Sequence, residues 1–407
     1  MLSRFRELQT GAKSPISEIR FASILPSRPL LLAPIPRSAY IHVPFCRHRC
    51  GYCNFSVVSD RDDLIDRYLD AIDRELAQSL NTPPPLDTLF IGGGTPTHLP
   101  LATLDRFLGR LRTQFTLDDV EEWSVEANPE DITDEKLRLL TAHGVNRLSL
   151  GVQSFRDEKL RVLERGHRGT QARRVVEQVA EHIENVSVDL IFAAPGETLA
   201  DWKADLEAAA SLPIQHVSTY ALTFEKGTSF WSRRLRGDLH ATDEGDEIAM
   251  YDLARKVLGE QGLLHYEVSN FGRPGRRCLH NLAYWRGDGW YAAGPGAAGF
   301  VDLKRTVNHR STTTYLKRIE SGQSALAESE PITPEQWARE KAAFGVRMID
   351  GVDLGDIRST TKIDIEHLCS EAIRKLTNLQ MITADGGHLQ LTANGLHFAD
   401  SVAAEFL

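Results

Sequence analysis

The chain has 407 residues, 42% of them hydrophobic and 25% charged, and a formal net charge of −9. That length can bury a large core and hold two or three domains, and the charge argues against a sequence-wide attraction to nucleic acid or anionic lipid. No apolar run is long enough to span a membrane and no secretory signal opens the chain, so the expected compartment is the reducing cytosol. Residues 1–38, locally basic and rich in Ser and Pro, read as a flexible N-terminal extension.

From Tyr40 to about Leu222 short apolar runs alternate with amphipathic ones. The strand candidates are YIHV, DTLFIG, EWSVEA, RLSLGV, VSVDLIF and HVSTYAL. In the first intervening helix, Leu64, Tyr68, Leu69, Ile72 and Leu76 share one face at the helical period. Another helical run extends from Asp157 to about Glu184. Repeated strand–helix units build a parallel sheet, here an open doubly wound sheet or a partial barrel. The unusual polar and glycine positions cluster toward the C-terminal ends of the strands: the cysteine loop, Gly92 to Gly94, Glu126, Gln153 and Asp189. In barrel-like folds that rim builds the active site, although βα loops are commonly polar for no functional reason.

Beyond Leu222 the rhythm fades into a connecting segment, 226–330. Within it Gly294-Pro-Gly296-Ala-Ala-Gly299 matches G-x-G-x-x-G, but no clear helix follows, so NAD binding is not expected. From 331 to 407 two helices, a hairpin turning at Asp385-Gly386-Gly387 and a last helix give a winged-helix-like order. It carries no Lys/Arg recognition stripe, and so reads as a packing or lid domain rather than a DNA reader.

The chain has five cysteines, and Cys46, Cys50 and Cys53 fall in one loop directly after the first strand. Clustered cysteines in a reducing compartment are metal ligands or redox groups more often than disulfides. Three thiolates can hold three corners of an iron–sulfur cube and leave its fourth iron open to a ligand. Zinc is the main rival, with His42 or His48 as the fourth donor. Cys50-Gly51-Tyr52-Cys53 is also a CxxC suited to thiol exchange.

The Cys-x3-Cys-x2-Cys spacing resembles the signature of radical S-adenosylmethionine (SAM) enzymes. The blocks YIHVPFC, LFIGGGTPT, VEANPE, LGVQSF, LERGH and VDLIFAAPGET extend the resemblance to the oxygen-independent coproporphyrinogen III oxidase family, from about Ala39 to the C-terminus. It implies a partial (β/α)6 barrel over 39–225. It also implies a [4Fe–4S] cluster on the three cysteines, with SAM chelated to the unique iron and split to a 5′-deoxyadenosyl radical. Matched by motif, Tyr40, Gly93, Gly94, Thr95, Glu126, Gln153, Arg165 and Asp189 are the SAM contacts. The glycines let the strand edge approach the methionyl amino group. Glu126 and Arg165 suit its zwitterionic end, and Asp189 and Gln153 suit ribose hydroxyls. One departure is Ala193-Ala194, where the family more often has Gly-Leu; both are small, so little effect is expected.

Two features separate branches of the family. The decarboxylating oxidases carry a further cysteine where this chain has Phe55, and Cys278-Leu-His280-Asn281-Leu-Ala-Tyr284-Trp285 carries the HNxxYW mark of the haem-chaperone, HemW-type branch. His280 offers an imidazole to haem iron, with Cys278 as an alternative or additional thiolate, and Tyr284 and Trp285 can stack on a flat macrocycle. On residue logic alone a buried histidine among core aromatics is the better account of the motif, and only the branch resemblance reverses that order. The resemblance implies a cytoplasmic protein that binds haem and passes it to an acceptor such as a membrane-bound respiratory haem protein. The alternatives are a coproporphyrinogen III oxidase and a non-catalytic protein whose cluster is structural or drives a homodimer.

Overall fold

The computed structural model describes residue 33 and residues 35–407. The extension expected over 1–38 lies outside the described residues except for its last positions, and the first strand, β1 (Ser38–Val43), already begins there. The chain then runs through α1 (Ile65–Ser79), β2 (Thr88–Gly93), α2 (Leu101–Gln114), β3 (Glu122–Ala127), α3 (Asp134–His143) and β4 (Arg147–Gln153). It continues with α4 (Asp157–Val162), α5 (Gly169–Ala180), β5 (Asn185–Phe192), α6 (Leu199–Ala210) and β6 (His216–Ala221). Strands β1 to β6 pair in chain order and all parallel, giving the expected partial barrel. The helices cover its outside because their apolar stripes have nowhere else to go: Leu64, Tyr68, Leu69, Ile72 and Leu76 are all buried.

The run expected as one helix from Asp157 to Glu184 is two, α4 and α5, separated by a turn. In that turn Glu164 takes a left-handed φ of 56°. The break brings Arg165 to the cysteine loop.

Past β6 the order is α7 (Ser229–Leu235), α8 (Glu244–Glu260), β7 (Leu264–Glu267), β8 (Asn270–Gly272), α9 (Leu279–Trp285) and β9 (Trp290–Ala293). Then follow β10 (Ala298–Val301), β11 (Lys304–Asn308), α10 (Thr312–Glu320) and β12 (Leu326–Pro331). This segment, expected as a connection, extends the barrel sheet to twelve strands: β8 pairs antiparallel with β6, and β9 pairs parallel with β1. The Gly294–Gly299 run is the turn between antiparallel β9 and β10, not the start of a βαβ unit. Gly294 is required there, because at φ 102° its Cβ would sit 2.4 Å from the His42 carbonyl oxygen. The buried Glu75 fixes the turn, accepting from Gly294 N at 2.9 Å, Asn308 Nδ2 at 2.5 Å and Tyr315 Oη at 2.6 Å.

The last part comprises α11 (Pro334–Gly345), β13 (Val352–Asp353), α12 (Leu354–Thr361), α13 (Ile365–Leu368), α14 (Ser370–Asn378), β14 (Ile382–Asp385), β15 (His388–Leu391), α15 (Ala393–His397) and α16 (Ala399–Ala404). Its three strands form a separate sheet, and its helices pack around their own core, including Ala342, Val346, Ile357, Leu376 and Phe406. Among the described residues no helix is long and apolar enough to cross a membrane.

Candidate functional site

The cysteine loop leaves β1 and is clamped at both ends: Cys46 N donates to Val58 O at 3.0 Å and Val58 N to Pro44 O at 2.8 Å. Cys46, Cys50 and Cys53 are half-buried and unpaired. Glu164 holds the loop's middle, accepting from Gly51 N at 2.8 Å and from Arg233 Nη1 at 3.0 Å.

One hydrogen-bonded chain joins two of the cysteines. Cys46 Sγ lies 3.5 Å from Thr95 Oγ1, and Asn128 Nδ2 donates to that same oxygen at 2.8 Å. Arg165 then donates from Nη2 to Asn128 Oδ1 at 2.5 Å, and from Nη1 to Cys50 Sγ at 3.5 Å. Since Thr95 Oγ1 already accepts from Asn128, its own proton is free to face Cys46. Sequence reading named Thr95 and Arg165 but missed Asn128, which follows β3 directly in VEANPE and sits between them.

Burial pushes the Cys46 thiol up to about 12, against the Thr95 hydrogen bond, and pushes Cys53 up as well. Such thiols ionise when a metal's charge offsets the lost hydration. Among the described residues no three His, Cys, Asp or Glu side chains converge on one point, as a single ion would need. His42 is also engaged, with Tyr40 Oη at 3.0 Å on Nδ1 and Ser56 O at 2.9 Å on Nε2, so it is not a ready fourth donor for zinc. Three thiols spread round one loop, with an arginine aimed at one of them, fit a cluster whose corners are separate atoms.

Inside the barrel lies a cavity of about 190 Å³ to which all six parallel strands contribute: Tyr40 from β1, Phe90 and Gly93 from β2, Glu126 from β3, Arg147 and Ser149 from β4, Asp189 from β5, and Ser218 and Tyr220 from β6. Four of the sequence-derived SAM positions, Tyr40, Gly93, Glu126 and Asp189, therefore meet here. Glu126 Oε2 accepts from Gly93 N at 2.8 Å, and Asp189 accepts from Ser149 Oγ at 3.2 Å. Burial, reinforced by the neighbouring Asp189, raises Glu126 to about 7. Gly94, Thr95 and Arg165 sit instead at the cysteine loop, where Gly94 N donates to Val43 O at 2.7 Å and Thr95 N to Phe45 O at 2.7 Å. Gln153 ends β4 with φ 64°, a left-handed strain that a long side chain tolerates chiefly where a site requires it.

The remaining lining comes from Phe55 and from His280, Asn281 and Tyr284 of α9. Helix α9 closes the barrel at the end where the strands begin. Glu122, the first residue of β3, accepts from Leu279 N at 2.8 Å and His280 N at 3.3 Å. Thr88, the first residue of β2, lies 2.9 Å from His280 Nδ1. His280 is 1% exposed and stacks on Phe90, with ring centroids 5.1 Å apart. Cys278 is fully buried against Glu122, and burial raises its thiol strongly. Trp285 does not face the cavity. Its ring lies 4.9 Å from the Arg347 guanidinium, and Arg347 stands two residues past the end of α11. The stacking platform expected from Tyr284 and Trp285 together is therefore split between the cavity and the contact with the C-terminal part.

Comparisons with known proteins show the family and the fold. The radical SAM superfamily pattern matches residues 40–209, and the HemN C-terminal domain pattern matches 332–398. Heme chaperone HemW of Lactococcus lactis is 35% identical over 91% of this chain and 97% of its own length. Heme chaperone HemW of Bacillus subtilis is 33% identical over 91% and 99%. A mitochondrial radical S-adenosyl methionine domain-containing protein 1 of Danio rerio is 30% identical over 89% and 81%. The solved coproporphyrinogen III oxidase (HemN) of Escherichia coli superposes with a TM-score of 0.80 over 92% of this chain and 90% of its own, at 23% identity, which shows a shared fold.

Proposed function

The chain belongs to the HemW family of radical SAM proteins, and from that premise we propose that it binds haem and hands it to an acceptor haem protein. In this reading Cys46, Cys50 and Cys53 hold a [4Fe–4S] cluster, with SAM at Tyr40, Gly93, Gly94, Thr95, Glu126, Gln153, Arg165 and Asp189. The observation that carries it is the shared cavity: the α9 residues His280, Asn281 and Tyr284 line the same space as Tyr40, Gly93, Glu126 and Asp189. When bound, the cluster and SAM supply one-electron chemistry at the barrel's C-terminal rim.

The chain's own residues do the positioning. Arg165 and Thr95 offer hydrogen bonds to the cysteine sulfurs, and Asn128 ties the two together. Phe55, 65% exposed, borders the cavity where the oxidase branch has a cysteine. A phenyl ring can neither ligate a metal nor exchange a proton there, so decarboxylation of coproporphyrinogen III is not expected.

Anaerobic incubation of cluster-loaded protein with SAM, a reductant and coproporphyrinogen III tests this reading beside a haem titration. Haem binding without protoporphyrinogen IX supports the chaperone. Protoporphyrinogen IX at a sustained turnover makes the oxidase the answer.

A further inference from the structure

Arg147, the first residue of β4, is 2% exposed and lines the cavity. It has five N–H donors but only two hydrogen bonds among the described residues, Nη1 to Ser124 Oγ and Nη2 to His216 Nδ1, both at 3.3 Å. Those lengths are at the weak end for N–H donors. Among the described residues its buried Nε has no partner and its guanidinium forms no ion pair. Buried arginines are ordinarily paired, because a lone cation taken from water is costly.

The nearest acids meet Arg147 only indirectly: Ser124 Oγ, which accepts from Arg147 Nη1, donates to Glu122 Oε1 at 3.1 Å. Glu122 accepts from the N–H groups of Leu279 and His280, and Asp189 accepts from Ser149. Burial pushes both Glu126 and Asp189 toward the neutral form, which lowers their competition with an incoming anion. Apart from Arg147, Glu126 and Asp189, the cavity's lining side chains are uncharged: Ser149, Ser218, Asn281, His280 and a set of aromatic rings. At about 190 Å³ it is smaller than the roughly 300 Å³ or more that encloses a whole ligand, so it suits one arm of a larger molecule.

We propose that Arg147 receives a carboxylate carried on an arm of the ligand that enters this cavity. The planar fork of a guanidinium matches a carboxylate through two parallel N–H bonds. The proposal rests on the haem reading above, in which the haem propionates carry such a group; the methionyl carboxylate of SAM, assigned above to the cluster and Arg165, is the rival source that the test separates.

The test uses cluster-loaded full-length protein and two probe pairs: haemin against haemin dimethyl ester, and SAM against decarboxylated SAM. In wild type the acid member of one pair binds about tenfold more tightly, and Arg147→Gln removes that preference while cluster absorption is retained. Loss confined to the haemin pair identifies the propionate, and loss confined to the SAM pair identifies the methionyl carboxylate. Arg147→Lys covers a glutamine variant that fails to fold: it keeps the charge but not the fork, and the preference shrinks severalfold. Equal binding within both pairs by wild type overturns the proposal, as does a preference unchanged in both variants. Should wild type bind no haemin at all, the haem reading falls, and the SAM pair alone still decides the role of Arg147.

Discussion

His280 Nε2 and the Tyr284 hydroxyl lie 2.7 Å apart. The protons in this contact can be placed. Thr88 Oγ1 donates to Ser38 Oγ at 2.9 Å, so toward His280 it accepts, and the imidazole proton sits on Nδ1. Nε2 then carries the lone pair, and Tyr284 donates to it. Burial lowers His280 to about 3, so the ring stays neutral at any working pH. The nitrogen that could bind haem iron is chemically ready but capped.

Removing the cap is the sharper test of haem ligation. Tyr284→Phe keeps the ring but frees Nε2, and haemin affinity followed at the Soret band is expected to rise by severalfold to about tenfold, the worth of one buried hydrogen bond. His280→Ala is expected to weaken binding and change the band while leaving the cluster intact. If wild type and His280→Ala titrate identically with haemin, His280 is not the ligand, and the motif is a structural plug at the foot of the barrel.

The cysteines sort by position. Replacing Cys46, Cys50 or Cys53 by Ala is expected to abolish the thiolate-to-iron absorption of anaerobically reconstituted protein. Cys278→Ala and Cys369→Ala leave it unchanged, since Cys278 lies beneath Glu122 and Cys369 in the C-terminal core. Iron and sulfide analysis checks this, and stoichiometric zinc without iron in the isolated protein would point to the rival site.

If SAM binds as proposed, Glu126 is expected to make its binding depend on pH. The Glu126 carboxyl is raised to about 7, and a methionyl ammonium placed beside it would favour the ionised form, so binding would release a proton. Affinity therefore climbs as pH rises through about 7 and levels off above. Between about pH 6 and pH 8 the ionised fraction grows from roughly one tenth to nine tenths, a gain of about ninefold. Without ligand the sign for stability is opposite. A raised carboxyl binds its proton more tightly in the folded chain, so its contribution is lost as pH climbs from 4.5 through about 7. Equilibrium dialysis of SAM with wild type and Glu126→Gln separates this slope from the titration of SAM itself; a slope unchanged in the variant removes Glu126 from the site.

The barrel was readable because period and chain order both spoke: six apolar strands separated by five amphipathic stretches allow few topologies. Arg165 and Asn128 show the limit. Their meeting depends on the turn between α4 and α5, which a continuous helical pattern conceals. Strands β7 to β11 are only three to five residues long, and β12 (LAESEP) is almost wholly exposed with hardly any apolar pattern, so pairing at the barrel's edges defines them rather than their own sequence. Trp285 was misplaced for a related reason. On a seven-residue helix adjacent aromatics point about 100° apart, so Tyr284 and Trp285 cannot both face one ligand.

Gly93 and Ala193 both hold left-handed backbone, with φ 105° and 59°, and their tolerances differ. Ala193 stands where the family resemblance leads one to expect glycine. Restoring glycine relieves roughly 1–2 kcal/mol of left-handed strain. It also frees the unfolded chain by roughly 0.4–1 kcal/mol and removes a buried methyl worth about 0.8 kcal/mol. These terms nearly cancel, so Ala193→Gly is expected within about 1 kcal/mol of wild type, whereas β-branched Ala193→Val costs clearly more. Gly93 has no such latitude. A Cβ there would lie 2.3 Å from the His42 ring, which Tyr40 and Ser56 hold from either side. Gly93→Ala must therefore push His42 away, dragging Tyr40 and the end of the cysteine loop at Ser56 with it. Chemical denaturation and SAM binding are both expected to show the loss; a Gly93→Ala protein with wild-type stability and SAM affinity would mean that this corner of the barrel yields where its hydrogen bonds say it should not.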